Sequence, residues 1–250
     1  RFDIIVDTDR NCIDHYTWRL IPIDDDYCPR DLELERVIEK YKEQTDRKYK
    51  RVITRLADKY THPSREQETT LGKLITDAFK DALGLDIMMV GSGSIRAQEM
   101  GPIVMLEDLL QVFPYSDEVY RITVTGEQLK RVVKHTLRTG TLQGLTEFYQ
   151  YSRGFEIQFD YENQELIKLS LDGKEIDDEK CYNLGITSFH FENLKEFLNL
   201  TKEEVSKNRE PKVVATKSAD VLEEYFSKQE LVKVAPDRRL CLKQYINVKN

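Results

Sequence analysis

Thr70-Leu-Gly-Lys-Leu-Ile-Thr-Asp-Ala-Phe-Lys-Asp-Ala-Leu83, stopped by Gly84 and followed by Asp86-Ile-Met-Met-Val-Gly-Ser-Gly-Ser-Ile-Arg96, sets the class of fold. Leu71, Leu74, Ile75, Ala78, Phe79 and Ala82 recur at the i, i+3, i+4, i+7 spacing, so Thr70–Leu83 is expected to be an amphipathic helix with a broad buried face. Gly84 ends it, because glycine enters the left-handed conformation that closes a helix without a Cβ clash. Asp86–Val90 then carries a short unbroken apolar run, the pattern of a strand covered on both faces. It empties into Gly91-Ser-Gly-Ser-Ile-Arg96, a small-residue turn at a strand end, where backbone amides can approach an anionic ligand.

Downstream, Leu106–Val112 reads as a short helix and Glu118–Val124 as a strand. Thr125-Gly-Glu-Gln128 reads as a capping box opening a helix that buries Leu129, Val132, Val133, Thr136 and Leu137. Phe155–Tyr161 and Glu165–Leu171 alternate polar and apolar residues, and Asp172-Gly173 is a hairpin turn before Glu175-Ile176. Cys181–Thr187 is expected as a strand, Asn193–Leu200 and Ala219–Ser227 as helices, and Arg238–Lys243 as a closing strand. Upstream, Phe2–Val6 and His15–Ile23 read as a β-hairpin turning at Asp9-Arg10-Asn11. Asp31–Lys50 follows as a solvated helix with one narrow apolar stripe, Leu34, Val37, Ile38 and Tyr41. Helices and strands mix with hairpins among them, so the class is α/β (α+β), a mixed β-sheet flanked by helices.

Composition narrows the function. With 250 residues, 40% apolar and 33% charged, the chain can bury a core, and disorder is not expected. Its net charge of −7 opposes general attraction to phosphate backbones, so no nucleic acid partner is expected. No run approaches the roughly 18 apolar residues of a membrane span. The first residue is Arg1 and strand pattern begins at once, as in a mature chain or an excised portion of a longer one. Cys12, Cys28, Cys181 and Cys241 form no C-x-x-C pair; they are free thiols or two disulfides in one of three connectivities. His15, His62, His135 and His190 lack metal-ligand spacing, so no metal site is expected within the chain. No Gly-x-Ser-x-Gly elbow is present either, so no catalytic residue is assigned. What remains suits holding a ligand: Arg65 before a helix, Arg96 after a glycine turn, and Tyr115 and Phe189 after structural elements. A guanidinium fork matches phosphate or carboxylate, and two aromatic faces can sandwich a flat heterocycle.

Read in order, Arg65-Glu-Gln-Glu-Thr-Thr-Leu71-Gly72, Gly91-Ser-Gly-Ser-Ile-Arg96, Leu109-Leu-Gln-Val-Phe-Pro-Tyr115-Ser and Val124-Thr-Gly-Glu-Gln-Leu129 resemble the C-terminal domain of the 5'-nucleotidase family. Tyr151-Ser-Arg-Gly154-Phe, the Asp172-Gly173 hairpin and Tyr182…Thr187-Ser-Phe189 continue the resemblance, which covers roughly Thr61 to Leu242. It implies three parts: residues 1–30 as the last hairpin of a truncated metallophosphatase domain, 31–60 as a connecting helix and linker, and 61–250 as the substrate-binding domain. It implies that the metallophosphatase domain, nearly all of it missing here, is the partner in cis and carries two divalent metal ions and the catalytic pair. This chain would then bind a nucleotide or related anionic small molecule without hydrolysing it. The resemblance places substrate contacts at Arg65, Gly93, Arg96, Tyr115, Asp117, Gly154 and Phe189, with Gly154 at the pocket edge, and a location that is extracellular, periplasmic or at the cell surface. Gly91 and Thr70 stand where the family has Asn, and Ser116-Asp117 where it has Gly-Asn. A Gly-rich loop after the second aromatic is replaced by Glu192-Asn-Leu-Lys195-Glu-Phe197, putting Lys195 where an acidic ribose acceptor is expected. The alternative is a non-catalytic module that keeps the fold and has lost the nucleotide pocket. A related hydrolase acting on another anionic substrate is a further possibility.

Overall fold

The structure, a computed structural model, describes residues 1–243. The last seven positions of the domain expected to run to Asn250 lie outside the described residues. Two compact units divide at Lys48 and Tyr49.

In the first unit, Phe2–Asp7 and Cys12–Trp18 pair antiparallel with Phe2 opposite Trp18. The second strand begins earlier than the sequence pattern placed it. Asp7 Oδ1 accepts the N–H groups of Asp9 and Arg10, and Asn11 takes a left-handed φ of 51°, so the chain has already reversed by Cys12. A helix spans Leu32–Tyr49; Asp31 Oδ1 accepts the N–H groups of Glu33 and Leu34 and so caps its N-terminus. No residue of the hairpin or of this helix is buried.

The second unit takes in part of the expected connector. Ile53, Leu56 and Tyr60 are buried in its core, so residues 49–60 are part of the compact unit rather than a linker. Its centre is a five-stranded sheet in the order Lys212–Ala215, Val119–Thr125, Cys181–Thr187, Ile87–Gly91, Tyr149–Tyr151. Cys181–Thr187 and Ile87–Gly91 run parallel, and every other pair is antiparallel. Ile87 and Met89 face one apolar core while Met88 and Val90 face the other, which is why Asp86–Val90 carries no polar alternation.

On one face, helix Thr70–Leu83 packs Leu71, Leu74, Ile75, Ala78 and Phe79 into a core shared with Leu106–Val112 and Ser218–Ser227. Each buried aliphatic or aromatic side chain contributes about 1.5–3 kcal/mol. The Thr69 hydroxyl accepts the Gly72 N–H at 3.0 Å to open this helix, and Gly84, with φ 61°, closes it. On the other face, helix Gly126–Thr136 and a four-stranded sheet enclose the second core. That sheet runs Lys174–Glu175, Glu165–Leu171, Phe155–Asp160, Leu240–Lys243, with the last pair parallel. Arg239, 1% exposed, ties the sheets together: its guanidinium meets both Asp77 oxygens at 2.8 and 2.7 Å and the Tyr151 carbonyl at 2.7 Å.

The expected helix over Asn193–Leu200 is shorter, Leu194–Leu198, ended by Asn199 with φ 52°, and a separate short helix, Ser188–Glu192, precedes it. Cys12, Cys28, Cys181 and Cys241 are all unpaired and exposed.

Candidate functional site

The two parallel strands end side by side, Ile87–Gly91 at the glycine turn and Cys181–Thr187 at Ser188. The crevice beyond the carboxyl ends of parallel strands is where α/β sheets most readily leave room for a ligand. Here it is a cleft of about 410 Å³ lined by Arg65, Gly93, Ser94, Arg96, Tyr115, Asp117, Glu147, Phe189 and His190.

Buried polar side chains fix the loops that supply these groups. His62 Nδ1 pairs with the Thr69 hydroxyl at 2.9 Å, and its Nε2 with the Ser92 carbonyl at 3.2 Å. Gln150 Oε1 accepts the Thr69 N–H at 3.0 Å, while its amide nitrogen donates to the Gln67 carbonyl at 2.8 Å and the Ser92 hydroxyl at 2.6 Å. The Arg65 loop is thereby bound to the turn that carries Arg96. Gly72 permits the approach: a Cβ there would stand 2.3 Å from Gln150 Oε1.

The rings are positioned by their own neighbours. Ser218 donates its hydroxyl to the Tyr115 carbonyl at 3.0 Å and its N–H to the Asp117 carbonyl at 2.8 Å, holding the Tyr115 segment against helix Ser218–Ser227. Ser188 N–H donates to the Glu118 carbonyl at 2.8 Å, joining that segment to the one carrying Phe189. Tyr115 is 42% exposed and Phe189 54%, so both rings present free faces rather than filling the core. Behind Phe189, His190 is buried against Tyr149 and Phe197 with Nδ1 on the Thr187 hydroxyl at 3.0 Å; burial lowers its pKa to about 4, so the ring is neutral at physiological pH.

Arg65 and Arg96 are exposed and, among the described residues, neither is held in an ion pair with a carboxylate; Arg96 only touches the Gly93 carbonyl, at 3.2 Å. The backbone amides of the turn are mostly committed. Ser92 N–H donates to the Phe148 carbonyl, Ile95 N–H to the Ser92 carbonyl, and Gly93 N–H to Glu147 Oε1 at 2.8 Å. These three amides are therefore not free to form the anion cradle expected from the sequence, and the exposed cations of the cleft are the two guanidinium groups. Glu147 is pulled two ways: burial raises its pKa, while the Gly93 N–H and Arg65 lower it.

Six of the seven residues singled out from sequence, Arg65, Gly93, Arg96, Tyr115, Asp117 and Phe189, line this one cleft. Gly154 does not. It sits between strands Tyr149–Tyr151 and Phe155–Asp160 with φ 82°, its carbonyl accepts the Asp172 N–H, and a Cβ would stand 2.1 Å from Asp172 Oδ1. Its glycine is required by that turn rather than by a pocket edge. Lys195 also stays out of the lining: the short helix turns its ammonium to Asn199 Oδ1 at 3.1 Å, so it brings no reversed charge into the cleft. Glu147 and His190 were not read from sequence as site residues. Glu147 precedes an edge strand too short for alternation to reveal, and His190 has no sequence partner that would mark it.

Among the described residues, no three His, Cys, Asp or Glu side chains gather where they could hold a metal ion. Nor, among them, is any helix long and apolar enough to cross a membrane.

These features define a mixed α/β domain with an aromatic-flanked, arginine-bearing cleft at the ends of its parallel strands. The chain belongs to the 5'-nucleotidase C-terminal domain family, whose sequence profile matches residues 48–202. Protein 5NUC of Lutzomyia longipalpis is 32% identical over 161 residues, covering 56% of this chain and 28% of that protein. The crystal structure of a 5'-nucleotidase precursor from Thermus thermophilus superposes with a TM-score of 0.70 at 15% identity, over 96% of this chain and 49% of that one. The Haemophilus influenzae NAD nucleotidase gives 0.65 at 13% identity, over 87% of this chain and 42% of that one. At these identities the two structural likenesses concern the fold. The chain spans less than half the length of each of these three proteins.

Proposed function

We propose that the cleft binds a nucleotide or a related flat anionic small molecule, and that the chain is the substrate-binding portion of a 5'-nucleotidase-like phosphohydrolase. The observation that carries this reading is the convergence of Arg65, Arg96, Tyr115 and Phe189 on one cleft from four separate segments. Guanidinium forks suit a phosphate, and open ring faces suit a planar base. The net charge of −7 favours a small anion over a nucleic acid.

Residues 1–30 fit the end of a metallophosphatase domain, since Phe2, Ile4, Val6 and Trp18 leave apolar surface uncovered. When bound in that domain, two divalent ions supply Lewis-acid activation of water for attack on a phosphoester. This chain contributes binding and orientation, which lower the barrier by holding the ester in one pose. By itself it is expected not to hydrolyse phosphoesters. A location outside the cytoplasm is part of this proposal and rests on the family resemblance.

The second reading, a non-catalytic module, is favoured by one observation: Glu147 occupies the Gly93 amide that an anion would otherwise use. Calorimetric titration of the 250-residue chain with adenosine 5'-monophosphate decides between them. Binding that weakens about tenfold or more in Phe189→Ala, and becomes less salt-sensitive in Arg96→Ala, is the expected result. No heat of binding, or variants that bind like the parent, refutes the clamp.

A further inference from the structure

Two half-buried carboxylates line the cleft, Asp117 and Glu147; Glu147 is the one anchored to the glycine turn, and it still has hydrogen-bonding capacity to spare. An ionised carboxylate offers about four lone-pair sites. Among the described contacts Glu147 uses one, accepting the Gly93 N–H at 2.8 Å through Oε1, and it forms no ion pair. Oε1 and Oε2 lie equally close, 3.3 Å, to the position a Cβ on Gly93 would take, so the carboxylate lies broadside against the turn, inside the lining that also holds Arg96, Tyr115 and Phe189. A second cavity, of about 490 Å³, shares only Arg65 and Glu147 with the first, so these two side chains form the wall between them. The remaining Glu147 oxygen is not a buried, unpartnered atom, so water can reach it in the free protein. A ligand seated on this wall displaces that water, and covering a carboxylate oxygen without a replacement donor is unfavourable, so a ligand that presents a donor there binds better than one that does not.

Resting on the nucleotide reading, we propose that Glu147 is a specificity-determining residue that selects, among flat anionic ligands, those carrying a hydroxyl or amino hydrogen-bond donor facing Oε2. The guanidinium groups hold the anion and the rings hold the plane; Glu147 reads the donor. Sites built to hydrogen-bond a particular group reject analogues lacking it far more strongly than apolar pockets reject a change of size.

The test is calorimetry on the 250-residue chain and its Glu147→Gln variant with three probes. Adenosine 5'-monophosphate carries both donor types, 2',3'-dideoxyadenosine 5'-monophosphate lacks the ribose hydroxyls, and purine riboside 5'-monophosphate lacks the exocyclic amine. Glu147→Gln keeps an oxygen for the Gly93 N–H but turns the ligand-facing oxygen into a donor. Expected is a loss of about tenfold or more for adenosine 5'-monophosphate, with one analogue bound equally by both proteins; that analogue names the donor being read. A variant that binds adenosine 5'-monophosphate as the parent does, or that loses all three probes equally, overturns the inference while leaving the clamp standing. Independently of any variant, if neither analogue binds the parent more weakly than adenosine 5'-monophosphate, no donor is read and the inference falls. If the parent binds none of the three, the nucleotide reading falls and takes this inference with it.

Discussion

Lowering the pH should unfold this domain partly through His190. Its ring is 2% exposed, packed against Tyr149, Phe189 and Phe197, and burial lowers its pKa from the ordinary 6.5 to about 4. In the unfolded chain the ring takes up a proton near 6.5, whereas in the fold it stays neutral down to about 4. Between those values the unfolded state binds more protons, so stability falls as pH falls. At about 1.36 kcal/mol per pH unit, the gap between 6.5 and about 4 is worth roughly 3 kcal/mol, present in full above 6.5 and lost by about pH 4. His62, whose pKa burial also lowers, adds a loss in the same direction, while Glu147, raised mainly by burial, opposes it. His190→Asn isolates the His190 share, because Asn keeps a polar atom for Thr187 and does not titrate. Urea denaturation of both proteins at pH 7.5, 6, 5 and 4 gives the assay. The variant is expected to be less stable at pH 7.5, from the cavity it leaves, and to lose roughly 3 kcal/mol less than the parent on going to pH 4. A stability difference between the two proteins that does not change with pH would refute the burial argument.

Arg239→Ala leaves Asp77 as an uncompensated buried carboxylate and is expected to cost about 3–5 kcal/mol in chemical denaturation; Asp77→Ala/Arg239→Ala should cost clearly less than the two single losses added together. Gly72→Ala drives a Cβ into Gln150 and should destabilise by about 1–3 kcal/mol. It should also weaken adenosine 5'-monophosphate binding, because Gln150 ties the Arg65 loop to the Ser92 turn. Gly154→Ala should lower the melting temperature by several degrees, at about 1–3 kcal/mol of backbone strain, while leaving affinity for the same nucleotide unchanged; a selective loss of affinity would return Gly154 to the cleft.

Much of the fold is legible because the signals are local. The spacing of Leu71, Leu74, Ile75, Ala78 and Phe79 fixes a helix face wherever the helix docks, and Thr69 and Gly84 bound it through hydrogen bonds reaching three or four residues. The unbroken run before Gly91 signals burial on both sides, and Met88 and Met89 do face opposite cores. Short edge strands such as Tyr149–Tyr151 and Lys212–Ala215 escape a sequence reading, since three or four residues are too few to establish alternation.

The order of residues was enough to specify the class of fold, the succession of its main helices and strands, and the two arginines and two aromatics that meet in the cleft. Each of these follows from a pattern spanning a few neighbouring residues or from a family motif. The rest emerges only once the chain is folded: Glu147 closes the Gly93 amide, His190 is buried and neutral behind Phe189, Lys195 turns to Asn199, and Gly154 serves a turn facing Asp172. The physical reason is that a periodic pattern specifies which side of an element is buried, whereas the side chain that reaches a cavity from a loop depends on strand register and on contacts such as Gln150 with Ser92, 58 positions apart in the chain.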